Sequence, residues 1–207
     1  KERQEMMVNE WDNLYENTLK ELDLFGGQQY KHNITKNKYV FKSDVKPMQI
    51  DRYLADGEKF TLGDLDLEVI WTPGHSYEHI CLLNQKNRIL FSGDHVLPKI
   101  TSHVALHSYR DHDPLGEYLS SLEKIQDVDV DTILPGHEWT FNDLKPRTQQ
   151  LMTHHRNRLD EMKETLEDGP QTVYDVGSKV RWDSRPWPVM TFWTKRMAAT
   201  ETFAHLF

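Results

Sequence analysis

One pattern recurs three times in this chain, namely an apolar strand that ends in glycine followed by a histidine or an aspartate. The segment LEVIWTPGHSYEHICL places His75 after the TPG break, RILFSGD ends at Asp94, and VDTILPGH ends at His137. Alternating apolar positions favour strands, and glycine allows the sharp turn that follows each of them. Strand ends that each present an imidazole or a carboxylate predict a metal site, because these groups are common metal ligands.

The composition is that of a globular protein. Of the 207 residues 37% are hydrophobic and 28% are charged, mean hydropathy is −0.73, and no apolar run approaches the roughly 20 residues of a membrane span. The net charge of −8 disfavours nucleic acid as a partner without ruling it out. The single cysteine, Cys81, excludes an internal disulfide and fits a reducing compartment, which predicts a cytoplasmic protein.

Local patterns predict the secondary structure. Apolar residues three and four positions apart favour helices, and a meander of short strands is expected in the middle of the chain. Asp113-Pro114 is typical of a helix start, and Thr172 with Asp175 resembles a capping box. The expected helices cover residues 1–24, 114–125, 143–168, 172–180 and 195–206, and the expected strands cover 39–41, 67–72, 79–84, 88–93 and 130–135.

Several residues capable of metal chemistry have simpler interpretations. Cys81 lies within an apolar strand and is expected to be a buried, inert thiol. His154 and His155 are adjacent on a helix and point about 100° apart, so they cannot chelate one ion; His155 is expected to be packed and His154 solvated.

In order along the chain, TPGHS, FSGDH and LPGHE resemble the motifs of the metallo-β-lactamase-fold hydrolase superfamily. The resemblance implies an α/β fold, the αββα sandwich, with two zinc ions at one edge, or iron or manganese in their place. It implies that His75 binds the first metal, that Asp94 is the catalytic carboxylate bridging both, and that His137 binds the second. His79 is expected to point away along the next strand in a supporting role, whereas His95 either lines the substrate pocket or is structural.

One motif of that superfamily is not found in this chain. HxHxDH normally precedes the TPGH strand, but only His32 occurs before residue 75, so the N-terminal half of the sandwich, with this motif, is expected upstream of Lys1. The string from His107 to His112 reads H-x-Y-x-D-H. It follows Asp94 and leads into a helix, so it is interpreted as a coincidental match.

The C-terminal part resembles the helical, winged-helix-like appendage of one hydrolase subgroup. This resemblance divides the chain into a metallo-β-lactamase-like core over residues 1–142 and a truncated C-terminal domain over residues 143–207.

The resemblance implies a hydrolase that uses a metal-bound hydroxide on an ester, thioester or related acyl substrate. The expected partner is therefore a small-molecule substrate, and homo-oligomerisation is left open. TPGHSxxHICL is similar to the motif of glyoxalase-II-like, thioester-cleaving members. Two alternatives stay open at this point. One is an endoribonuclease or phosphodiesterase of the same fold, and the other is an inactive fragment or binding module, because the HxHxDH donors are missing.

Overall fold

The computed structural model describes residues 14–36, 50–107, 112–182 and 185–207. Three expectations lie partly or wholly outside these ranges: the first half of the N-terminal helix, the strand over residues 39–41, and residues 108–111 of the string that ends at His112.

The described residues contain a five-stranded sheet whose spatial order follows the chain. The first four strands form an antiparallel meander, and the fifth pairs in parallel with the fourth. The last three strands of this meander are the predicted ones, whereas the first, residues 59–62, was not expected as a strand. The strands are β1 (Lys59–Leu62), β2 (Leu65–Trp71), β3 (Ile80–Asn84), β4 (Ile89–Gly93) and β5 (Thr132–Pro135).

The direction of the strands determines where the strand ends meet. β3 runs against both β2 and β4, and β5 runs parallel to β4, so β2, β4 and β5 all point the same way. Their carboxyl ends therefore lie along one edge of the sheet. The residues that follow these three ends include His75, Asp94 and His137.

Helix α3 (Pro114–Ile125) covers one face of the sheet. Its predicted start is confirmed, because the Asp113 carboxylate accepts a hydrogen bond of 2.8 Å from the Gly116 N–H and proline occupies the first turn. The apolar side chains of α3 pack on the sheet in a buried cluster that includes Tyr118, Leu122, Ile125, Leu90 and Ile133.

Three helices follow the sheet: α4 (Leu144–Thr165), α5 (Val173–Lys179) and α6 (Phe192–Leu206). The first half of α4 packs into the sheet core through Leu151 and Met152, whereas Met162 in its second half packs against α5. The capping box at the start of α5 is present, since the hydroxyl of Thr172 accepts from the Asp175 N–H at 3.1 Å. The helical C-terminal part is thus confirmed.

The start of the described chain belongs to this helical layer. Helices α1 (Leu14–Leu24) and α2 (Lys31–Lys36) pack against α5 and α6, where Leu22, Phe25 and Ile34 join Tyr174 and Ala199 in one buried cluster. Helix α2 was not predicted, because its six residues carry no long apolar repeat and Ile34 alone anchors it.

From residue 143 onward, the described helices and short turns include no β-hairpin that would form a wing. The winged-helix resemblance and the division at residue 142 stay predictions. Among the described residues, none of the helices combines the length and apolarity needed to span a bilayer.

A buried ion pair joins the two ends of the chain. The Glu21 carboxylate on α1, which is 2% exposed, accepts hydrogen bonds from Arg196 on α6 at 2.6 Å and from His107 at 2.8 Å. Burial alone would raise the pKa of Glu21, but the hydrogen bond from His107 and the charge of Arg196 outweigh it and lower the pKa. The pair is therefore ionised and fixes α1 to α6.

We expect Glu21→Gln to lower the free energy of unfolding by about 3 kcal/mol, because it leaves the Arg196 guanidinium buried without a counter-charge. The folded-state pKa of Glu21 is lowered, so its contribution is complete above the unfolded value of about 4.3 and is lost as the pH falls through the folded value. The difference between variant and parent in urea unfolding should accordingly be large at pH 7 and shrink below about pH 4.

Glu16→Gln is the matched control, because Glu16 is exposed on the same helix. It should change stability by less than about 0.5 kcal/mol. Equal effects of the two substitutions would contradict a specific role for the Glu21 carboxylate.

Candidate metal centre

The loop after β2 is held tightly against α3. Gly74 has φ +131°, and a Cβ at this position would lie 2.4 Å from Cβ of Tyr118, so only glycine fits. The hydroxyl of Ser121 donates to the carbonyl oxygen of Pro73 at 2.9 Å. These contacts place His75 on a rigid support.

The His75 ring is oriented by a backbone group. Its Nδ1 lies 2.9 Å from the carbonyl oxygen of His103, which can only accept, so Nδ1 carries the proton and Nε2 is left with a lone pair. This Nε2 lies 3.8 Å from Oδ2 of Asp94. A carbonyl behind the ring is a common arrangement for histidines that bind metals, because it fixes both tautomer and direction.

Asp94 lies between two histidines. Its Oδ1 is 3.4 Å from Nε2 of His137, and this oxygen is buried without a hydrogen bond from any described residue. The two strand ends are joined by a hydrogen bond of 2.7 Å from the Gly136 N–H to the Gly93 carbonyl oxygen. The structure thus brings the three predicted ligand residues together at the sheet edge.

The spacing of these side chains is compatible with metal binding. Two donors bound to one zinc at about 2.1 Å in tetrahedral geometry lie about 3.4 Å apart, close to the two imidazole–carboxylate separations. Each oxygen of Asp94 faces a different imidazole, so the site consists of two imidazole–carboxylate pairs that share the Asp94 carboxylate. Within the described ranges, no group of three or more His, Cys, Asp and Glu side chains could hold an ion by itself. The donor chemistry fits a metal, but this set is only part of a coordination shell.

His79 supports Asp94 from behind. Its Nδ1 donates to the Thr72 hydroxyl at 2.7 Å, and its Nε2 accepts from the Asp94 N–H at 3.2 Å. Burial, followed by the proximity of His75, lowers the pKa of His79 to about 4, so the ring is neutral at pH 7. The expectation that His79 points away is wrong, because the chain bends back before β3 and turns the ring toward the strand ends.

His95 is completely buried. Its ring packs edge-on against Tyr118, with centroids 4.9 Å apart, and burial, reinforced by nearby His79, lowers its pKa to about 3. A fully buried ring cannot line an open substrate pocket, so the structural alternative holds for His95. Its backbone carbonyl accepts a hydrogen bond of 2.9 Å from the Tyr118 hydroxyl.

Glu138 does not orient a metal-site histidine. Its carboxylate accepts hydrogen bonds from the N–H groups of Lys99 and Ile100, at 2.9 and 3.2 Å, and so fixes the loop beside the site. The His75 ring is held by the carbonyl of His103, which sequence reasoning missed. No local signal could have found it, because the contact spans 28 residues and involves a backbone atom.

The other candidate side chains are placed away from the centre. Burial raises the pKa of the Cys81 thiol to about 12, which confirms an inert cysteine. His155 is buried with its Nδ1 3.1 Å from Nε2 of His205, as expected for a packed residue. His154 is half-buried, contrary to the expected solvated position, and its ring packs edge-on against that of His155, with centroids 5.3 Å apart.

Comparison with known proteins agrees with the fold and the motifs. The family described as the Metallo-beta-lactamase superfamily matches residues 5–137, well over half of the chain. The chain therefore belongs to the metallo-β-lactamase superfamily, whose members are generally hydrolases and usually bind metal ions.

Individual relatives share this classification. The chain is 32% identical to a Beta-lactamase-like protein 2 homolog of Caenorhabditis elegans over 73% of its length and 49% of the relative's. It is 30% identical to an atrochrysone carboxyl ACP thioesterase of Aspergillus fumigatus over 58% of its length and 35% of the relative's. The chain thus spans at most about half of these relatives.

A solved structure of the same superfamily has a similar fold. A metallo-beta-lactamase family protein from Thermus thermophilus superimposes with a TM-score of 0.70 at 29% identity, covering 82% of this chain and 52% of that one.

We expect Gly136→Ala to displace the Asp94 carboxylate, because an added Cβ would lie 2.5 Å from Oδ1 and 3.2 Å from the backbone carbon of Gly93. Metal content, measured by mass spectrometry on the natural full-length protein, should fall by more than half. The melting temperature after metal removal should change little. If the substituted protein retains its full metal content, Oδ1 does not take part in binding.

Proposed function

We propose that this protein is a metal-dependent hydrolase of esters, thioesters or related acyl compounds. The observation that carries the proposal is the Asp94 carboxylate, whose two oxygens face the imidazoles of His75 and His137 at the carboxyl ends of aligned strands. A carboxylate that presents one oxygen to each of two histidines is suited to bridging two ions.

His75, Asp94 and His137 would hold the metal, with zinc as the first candidate and iron or manganese as others. The remaining donors would be those of the superfamily's HxHxDH motif. When bound, zinc lowers the pKa of its water to about 7 and so supplies a nucleophile at neutral pH.

The residues of this chain prepare the site in two ways. The carbonyl of His103 holds Nε2 of His75 toward Asp94, and neutral His79 anchors the Asp94 backbone. Neither interaction adds positive charge beside the donors, so these supporting groups do not repel a metal cation. Such preorganisation lowers the cost of assembling a charged centre.

Two observations support an acyl substrate. One relative is named as a thioesterase, and TPGHS is similar to the glyoxalase-II-like motif. The similarity is an analogy, because members of one fold differ mainly in the loops that contact substrates. An endoribonuclease is the alternative within the same fold, and the net charge of −8 disfavours it.

Metal analysis comes first. We expect at least one equivalent of bound transition metal in the natural full-length protein, purified without chelator. Less than one tenth of an equivalent would overturn the proposal and favour a binding module. Turnover of p-nitrophenyl esters and S-lactoylglutathione, compared with cleavage of a labelled single-stranded RNA, then decides between acyl hydrolysis and phosphodiester hydrolysis.

Asp94→Ala should abolish turnover and reduce bound metal, because it removes the shared carboxylate. After treatment of both proteins with chelator, variant and parent should melt within a few degrees of each other, since the Asp94 side chain makes no hydrogen bond to a described residue that stabilises the fold.

Asp66→Ala is the control for carboxylate removal. Asp66 is an exposed aspartate on β2, hydrogen-bonded to Thr61 at 2.8 Å and remote from the strand ends. Its removal should leave metal content and turnover unchanged. Unchanged turnover in Asp94→Ala would mean that the bridging residue is misassigned.

A further inference from the structure

A cleft of about 540 Å³ lies between the loop at residue 99 and the C-terminal helices. Its walls are mainly apolar, with cationic side chains at two positions. The apolar lining includes Ile100, Trp182, Met197 and Ala198, and the two cationic side chains are those of Lys99 and Arg158.

The cleft adjoins the candidate metal centre through two hydrogen-bonded links. His103 lines the cleft, and its carbonyl accepts from Nδ1 of His75. Lys99 and Ile100 also line it, and their N–H groups bind the carboxylate of Glu138, the residue after His137. A molecule in the cleft would therefore lie beside the backbone group that orients His75 and beside the loop that Glu138 fixes next to His137.

Arg158 is the unusual feature of this cleft. The residue is 5% exposed, its guanidinium lies over the Trp182 ring at 4.5 Å from the centroid, and one N–H donates to the carbonyl oxygen of Arg181. A guanidinium has five N–H donors, and the others meet no acceptor among the described residues. No described carboxylate forms an ion pair with Arg158 either.

The one acidic side chain among the described lining residues is already engaged. Glu201 lies 3.2 Å from Nδ1 of His103, and its pKa is lowered because that hydrogen bond and the neighbouring histidines outweigh the effect of burial. Lys99 adds a second cation that pairs with no described carboxylate. The cleft thus combines apolar walls with positive charge that this part of the chain does not neutralise.

We propose that this cleft binds an anionic group carried on an apolar chain, and that Arg158 is the residue that recognises the anion. The guanidinium is held over the Trp182 ring and by the Arg181 carbonyl oxygen, and its remaining N–H donors suit two-point binding of a carboxylate or a phosphate. The apolar walls would bury the attached chain. If the proposed function holds, the substrates are acyl compounds that bear a carboxylate or a phosphate. Their scissile bond would be directed toward Asp94.

Direct binding tests the proposal without turnover. Sodium decanoate, decyl phosphate and decanol are titrated into the natural full-length protein by isothermal titration calorimetry. We expect both anions to bind at least tenfold more tightly than the alcohol, since hydrogen bonds to a charged group are stronger than neutral ones. Comparing decanoate with decyl phosphate shows which anion the cleft prefers. Equal affinities for all three compounds would overturn the assignment of an anion site.

Variants locate the site. Arg158→Gln should remove the preference for anions, and Arg158→Lys should retain part of it. Met197→Trp should weaken binding of all three compounds at least tenfold by filling the cleft from an exposed helix position, even if Arg158→Gln fails to fold. Leu24→Trp, at an exposed apolar position outside the cleft lining, should leave binding unchanged. Unchanged binding in Met197→Trp would place the ligand elsewhere.

The outcomes separate this inference from the proposed function. If p-nitrophenyl acetate is hydrolysed but the anionic chains do not bind, the hydrolase proposal stands and the cleft assignment falls. If the anions bind with the expected dependence on Arg158 but the protein holds no metal and turns over no ester, the cleft is a binding site without the proposed chemistry.

Discussion

The site depends on the parallel alignment of β4 and β5 beside an antiparallel meander. This alignment brings together residues that are 43 positions apart, Asp94 and His137, and fixes their spacing through a backbone hydrogen bond between Gly93 and Gly136. Because β2 points the same way as β4, His75 joins them at the same edge. Any change that shifts the β5 register would separate the imidazole of His137 from the carboxylate.

The second requirement is orientation, which buried polar groups behind the edge provide. Neutral His79 spans the gap between Thr72 and the backbone of Asp94, and the carbonyl of His103 selects the tautomer of His75. Partial burial and the proximity of His75 keep His79 uncharged at neutral pH, so it can accept a hydrogen bond without repelling a cation.

The helical layer connects this edge to the rest of the protein. Helix α6 contributes Arg196 to the pair with Glu21, and it places Glu201 against His103 beside the cleft. The first half of α4 is part of the sheet core, whereas Arg158 in its second half faces the cleft. The same helix therefore packs on the sheet that carries the metal centre and places Arg158 at the proposed anion site.

The sequence by itself determined three of the four meander strands, the main helix starts and the three strand ends that present His75, Asp94 and His137, because alternation, capping residues and glycine breaks are local signals. Only the tertiary structure decided which ring nitrogen faces the carboxylate, that His79 turns inward, that His95 is buried, and that Arg158 lines a cleft without a carboxylate partner among the described residues. Those features depend on contacts between segments far apart in the chain, and local patterns do not encode the direction of a side chain across such distances.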